Sequence, residues 1–433
     1  MTPSIEDLGA RLRGILDDFV KRGAVLGVAA HVQVADRSWT LAAGSVSAEE
    51  GAAVSAGTRF RIGCLTKLAV ALAAQELADR GELDLDAELG GYVHELAIPP
   101  FQGVTMRHLL SHTAGYVPEN VLNPDVRFDF TWPLFLESLN ASQRLFAAGK
   151  VFNYIHSGYV VAGRVLAQMT GKTVSRLIAD VAGLDIDALS PEDIAPGHTY
   201  RMREKEFASV EPVELAPFWE DSLQGPPLNI TELAQLGERL LRLVSRQREQ
   251  RESVGAPMML PQLFGPTGEE MPVAFGCGFA RYRSGQLGLS SVMDGHSCMV
   301  RVGVHDKFSM AIAVNSGQPV VRDRLASAMT RAVGVSLRQF PALELQDLVG
   351  FYQGTRDTGW RVELNHDTLV LRRDPTRQGR RQVSPVQMRK NDRGQIIPID
   401  NQLRTPMGFF REPVTGTPCL MVGTSSHKLM SSL

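Results

Sequence analysis

The feature that most constrains this fold is a stretch with no polar face. Leu68-Ala69-Val70-Ala71-Leu72-Ala73-Ala74 continues a helix that starts near Cys64 and ends near Asp79, stopped by Arg80-Gly81. An Ala-rich helix of this kind packs closely inside a protein, so the elements around it must enclose it. Strand patterns lie on either side of it in sequence. Before it, Gly27–Val34 and Ser38–Ala43 flank Ala35-Asp36-Arg37 and read as a hairpin. A second hairpin, Cys298–Val304 and Phe308–Asn315, follows far downstream after strand patterning resumes beyond Phe275. The chain therefore leaves a sheet and returns to it.

What intervenes from about Leu83 to Pro227 is helical and irregular, with periodic runs at Gly158–Met169 and Val174–Ala182. A helix over Thr231–Val244 leads back, with Thr231 as its N-cap, and one from about Arg322 to Val333 closes the second hairpin. The N-terminus reads as an amphipathic helix through Leu8, Leu12, Ile15, Leu16 and Phe19. From Leu345 the texture changes to short strands with polar turns, such as Gly359–Leu364 and Thr368–Arg372. With 433 residues, two or three domains are expected. The expected parts are an α/β part from 1–90 and 228–340, an inserted helical region from 91–227, and a small barrel-like β domain from 345–433.

A formal charge of −2 and no basic stripe argue against a nucleic-acid partner. The run Arg377-Gln378-Gly379-Arg380-Arg381 reads as a solvated turn. No apolar stretch approaches the ~20 residues of a membrane helix. The first residues lack the basic flank, apolar run and cleavage site of a secretory signal, so a cytoplasmic protein is expected. Cys64, Cys277, Cys298 and Cys419 are far apart and without C-x-x-C pairs, which suggests free thiols.

Cys64 stands at a helix start, where unpaired amides and the helix dipole favour a thiolate. Lys67, on the same face one turn on, adds positive charge. A reactive thiol is one reading, and a small buried residue is the other. His108 and His112 are four apart but lack the acidic residue of an H-E-x-x-H helix, so no metal is expected there.

The segment Phe60-Arg61-Ile62-Gly63-Cys64-Leu65-Thr66-Lys67 resembles the S-x-x-K box of the serine β-lactamase and penicillin-binding-protein superfamily, with cysteine in place of serine. Gly81–Asp86 and Val104–Gly115 resemble the segments that follow it in the class C β-lactamase-like branch. Tyr154-Ile155-His156 resembles the Y-x-N box, with His156 for asparagine. Gly295-His296-Ser297-Cys298 resembles the third box, K-T-G or H-x-G, with Cys298 in the glycine position. Three boxes are recognisable and each is altered.

The resemblance spans roughly residues 5–340, and the C-terminal part is similar to the small β-barrel appended to esterases and peptidases of that branch. It implies an α+β fold, with helices packed on an antiparallel sheet, an inserted helical domain and an active site between them. It also implies acylation of a nucleophile with no metal or organic cofactor. Cys64 matches the nucleophile, while Lys67 and Tyr154 match the groups that supply base function or hold the thiolate. His156 either forms a thiolate-imidazolium pair with Cys64 or hydrogen-bonds Lys67.

His296 matches a position lining the cleft, where it binds a substrate carboxylate or carbonyl or tunes Tyr154; a structural histidine is the alternative. Backbone N–H groups of Cys64 and of the strand near Cys298 and Met299 are the expected oxyanion donors. Ser297, Cys298 and Met299 are thus expected at the substrate. Cys298 would narrow the pocket, and a Cys64–Cys298 disulfide is conceivable.

Thioesters favour amines over water more strongly than oxygen esters do. The expected activity is therefore acyl transfer from a small-molecule or carrier-bound thioester or ester to an amine or alcohol, in biosynthesis. A hydrolase of esters, amides or D-amino-acid peptides is the second expectation, and a catalytically inactive binding protein the third.

Overall fold

In the computed structural model the described residues are 5–49, 51–115, 131–140, 144, 146–149, 153–201, 204–212, 222, 224–249, 258–259, 272–275, 278–282, 286–304 and 306–335. Beyond 350 they are 350–353, 359–373, 385–390, 396–398, 407–411, 418–422 and 425–431. Cys277 and the Arg377–Arg381 turn lie outside them.

An eight-stranded antiparallel sheet carries the first part of the chain. It is built from β1 (Gly27–Val34), β2 (Arg37–Gly44), β5 (Met258–Met259), β6 (Pro272–Phe275), β7 (Ala280–Tyr282), β8 (Leu287–Met293), β9 (His296–Gly303) and β10 (Phe308–Val314). Their order is β2-β1-β10-β9-β8-β7-β6-β5, so the two hairpins read in the sequence meet at the β1–β10 pair. Central strands β9 and β10 are buried along their whole length, and their side chains serve two cores in alternation.

Met299, Phe308, Met310, Ile312 and Val314 join Leu12 and Leu16 of α1 (Ile5–Lys21) and Leu325 and Met329 of the C-terminal helix Pro319–Ala332. Cys298, Val300, Val302, Ala311 and Ala313 face the other way. There they meet the Ala-rich helix α2 (Leu65–Asp79) and the helix Ile230–Glu249. The apolar body of α2 is buried on all sides, as its composition requires.

Between the two sheet segments run α3 (Met106–Leu110), α4 (Trp132–Asn140), α5 (His156–Thr170), α6 (Val174–Ala182) and a two-stranded ribbon, β3 (Gly197–Arg201) with β4 (Glu206–Val210). Helix α6 begins at Thr173, whose hydroxyl accepts from Arg176 N–H, and ends at Gly183 in the left-handed conformation. The helix Ile230–Glu249 is α7 and Pro319–Ala332 is α8.

From Gly350 onward, β11 (Gly350–Gln353), β12 (Gly359–Asn365), β13 (Thr368–Arg373), β14 (Val386–Lys390), β15 (Ile396–Pro398), β16 (Met407–Arg411), β17 (Pro418–Val422) and β18 (Ser425–Ser431) form a second antiparallel sheet. Its order is β15-β14-β13-β12-β11-β18-β17-β16. The fold is therefore α+β with a small C-terminal all-β unit, as expected. Among the described residues no helix is long and apolar enough to cross a membrane.

Candidate active site

Gly63 sets the site. Its φ of +47 turns the chain into α2, and the strand opposite passes where its Cβ would be: a Cβ there would lie 2.6 Å from Ser291 Oγ and 2.7 Å from Met293 Cβ. Cys64 follows as the helix cap residue, partly exposed, and its N–H donates to Ser291 Oγ at 2.9 Å. One turn on, Lys67 is only 1% exposed. Its Nζ donates to Nδ1 of His156 at 3.2 Å. Burial pushes the Lys67 pKa down, while the neighbouring Cys64 sulfur pulls it back up.

Burial, followed by the Cys64 sulfur, pushes the Tyr154 pKa well above the ordinary phenol value. Lys67 Nζ lies 5.3 Å from the Tyr154 ring centroid and 5.8 Å from that of Tyr159. His156, the first residue of α5, is held well below the usual imidazole range by burial and then by the Lys67 charge. Its observed partner is Lys67 Nζ.

His112 organises the far wall. It adopts φ +57, accepts from Ile155 N–H through Nδ1 at 3.1 Å, and stacks on Tyr154 at 4.3 Å between centroids. Tyr159 donates to Leu110 O at 2.6 Å and fixes α5 against α3. The structure thus brings Cys64, Lys67, Tyr154 and His156 together, with His112 behind them.

It does not bring the third set there. The strand beside Cys64 is β8, and the residue it presents is Ser291. Asp294 and Gly295, with φ of +45 and +75, turn the chain, so that His296–Met299 sit on β9, one strand further in. His296 is 1% exposed, bonds Ala195 O through Nε2 at 2.9 Å and packs its ring edge to face against Phe60. Cys298 lies opposite Ser291, with Sγ on Arg61 O at 3.7 Å. Ser297 and Met299 point to the other face, Ser297 onto Arg322 and Met299 into the core under α1 and α8. The placement of all four at the substrate is corrected on these grounds. Cys64 and Cys298 are free thiols, and Ser291 is the side chain bonded at the Cys64 amide.

Two outcomes follow from these burials. Burial pushes the Cys298 thiol up to about 12, so brief iodoacetamide treatment of the folded protein at pH 8 is expected to label Cys64 and leave Cys298 unmodified, read by peptide mapping. Burial lowers His296 from 6.5 to about 4. The unfolded chain binds this proton more readily, so stability is full above pH 6.5 and is lost as pH falls toward 4, by about 3 kcal/mol for this group. Urea midpoints from pH 7 to pH 4 should fall less steeply in His296→Gln than in the wild type.

A buried helix packed on an antiparallel sheet, with further helices between its two strand segments and a small all-β unit after it, is the architecture of the β-lactamase and penicillin-binding-protein class. The chain belongs to the Beta-lactamase family, whose model matches residues 12–333. Esterase EstB of Burkholderia gladioli is 29% identical over 243 residues, which are 51% of this chain and 56% of that protein. Penicillin-binding protein 4 of Amycolatopsis lactamdurans is 28% identical over 143 residues, 32% of this chain and 37% of that one. The chain thus spans about half, or less, of the length of these relatives. In fold it is similar to the crystal structure of SurE, with a TM-score of 0.72 and 20% identity across 99% of this chain and 100% of that one.

Proposed function

We propose that this chain is an acyltransferase that carries its acyl group as a thioester on Cys64, taken from a thioester or ester donor and handed to an amine or alcohol. The observation that carries this reading is the partly exposed Cys64 at the start of α2, followed one helical turn on by buried Lys67, whose Nζ is held 3.2 Å from His156 Nδ1. Lys67 takes the Cys64 proton as the sulfur attacks.

In acylation the sulfur bonds the carbonyl carbon, and the bond to the leaving group breaks. The leaving oxygen or sulfur takes a proton from Lys67. The thioester carries no charge, so Lys67, deprived of its counter-charge and buried, stays neutral. It is then the base that takes the proton of the incoming amine or alcohol as the thiolate departs. Tyr154, its proton held by burial, donates a hydrogen bond to the sulfur. His156 accepts from Lys67 and aims it.

The donor is a small molecule or a carrier-bound acyl thioester, and the reaction needs no cofactor, nucleic acid or membrane. A biosynthetic step in the cytoplasm is consistent with this reading. The test supplies one acyl donor with a panel of amines and alcohols and identifies products by mass. Transfer products that grow with acceptor concentration are expected, and free acid alone with every acceptor would overturn the transferase.

Hydrolysis is the second reading, favoured by the relationship to an esterase, and the same product analysis separates the two. A cleft that only binds is the third, favoured by the Ser291 hydroxyl already seated on the Cys64 amide. Absence of both products and adducts would select it.

A further inference from the structure

In acyl transfer the amide of the nucleophile receives the carbonyl oxygen as it becomes an oxyanion. Here that amide already has an acceptor, the Ser291 hydroxyl, which is 4% exposed. Ser291 cannot retreat by moving its backbone. Its carbonyl accepts from Arg322 Nη1 at 2.8 Å, and the same nitrogen reaches Ser297 Oγ at 3.0 Å and Cys298 O at 3.2 Å. Arg322 is 3% exposed and is itself held by the Asp323 carboxylate through Nε at 2.9 Å and Nη2 at 2.7 Å. Ser291 also pairs with Cys298 across β8 and β9. On the other side Gly63 offers no Cβ to keep the two apart. What remains free is rotation about χ1 between staggered positions.

We propose that Ser291 is an oxyanion donor of this site. At rest its oxygen accepts from the Cys64 N–H. When an acyl donor enters, the side chain rotates and its O–H donates to the carbonyl oxygen that takes its place on that N–H. As Cys64 Sγ bonds the carbonyl carbon, the carbonyl π pair moves to the oxygen and is met by both donors. It returns when the leaving group departs with the proton from Lys67, and Ser291 keeps its own proton throughout.

This inference rests on the acyl-transfer reading, and its test separates the two. Two reactions of Cys64 are timed by intact mass on the full chain, in the wild type, Ser291→Ala and Ser291→Gly. Acetylation by p-nitrophenyl acetate develops an oxyanion, whereas alkylation by iodoacetamide is displacement at a saturated carbon and develops none. Alkylation also reports that the turn at Cys64 is intact in each variant. Both variants are expected to be acetylated about 10²-fold more slowly than the wild type, with alkylation unchanged. Acetylation that is unchanged or faster in Ser291→Ala and Ser291→Gly would overturn the role of Ser291 while leaving acyl transfer standing. A wild type that is alkylated but never acetylated would overturn acyl transfer, and this role with it.

Discussion

Lys67→Met is expected to slow acylation of Cys64 by about 10³-fold, far more than any accompanying loss of folded protein explains. Lys67 is buried among Cys64, Tyr154, Tyr159 and His156, and Cys64 alone accounts for the influences that keep its proton on. Removing it leaves the sulfur without a counter-charge and the leaving group without a proton source. Removing one partner of a buried pair costs at most about 3–5 kcal/mol, so the stability of the variant is read on the same sample as its acylation rate. Acylation timed by mass and urea unfolding on the same sample check both. A variant that loses activity only in proportion to lost stability would contradict the assignment.

Gly63→Ala is expected to cost about 10²-fold in acylation, since displacement of the reacting groups by about 1 Å has that effect, and about 1–2 kcal/mol of stability. The new methyl would sit 2.6 Å from Ser291 Oγ and 2.7 Å from Met293 Cβ on a backbone at φ +47. Either β8 moves away from Cys64 or the turn rotates, and both break the Cys64 N–H to Ser291 bond. Alkylation of Cys64 should change far less than acylation.

Much of this arrangement is legible in the sequence because it is local. The apolar body of α2, the Cys64–Lys67 spacing along one helix face, and the Tyr154-x-His156 pair at the start of α5 each depend on a few neighbouring residues. The two hairpins are legible for the same reason. What is not local is which of two successive strands lies against α2. His296-Ser297-Cys298 is closer in letters to the expected third box than any triplet on β8. Strand pairing nevertheless puts Ser291 beside Gly63 and sends His296 to a bond with Ala195. Nothing in a serine flanked by Ser290 and Val292 announces that its hydroxyl will cap an amide 227 residues away.

His112 is concealed differently. It reads as half of a failed metal pair, while its role is to stack on Tyr154 and receive the Ile155 N–H from an uncommon backbone conformation. The lowered pKa of His156 likewise follows from burial beside Lys67 and not from its place in a motif.

The central claim is that the acyl group resides on Cys64. Intact mass spectrometry of the full chain after brief exposure to an S-phenyl thioester, followed by peptide mapping, tests it most directly. One added acyl mass on the peptide containing Cys64, discharged by an added amine and absent in Cys64→Ala, is the expected result. No adduct on the wild type, or an equal adduct on Cys64→Ala, would contradict it.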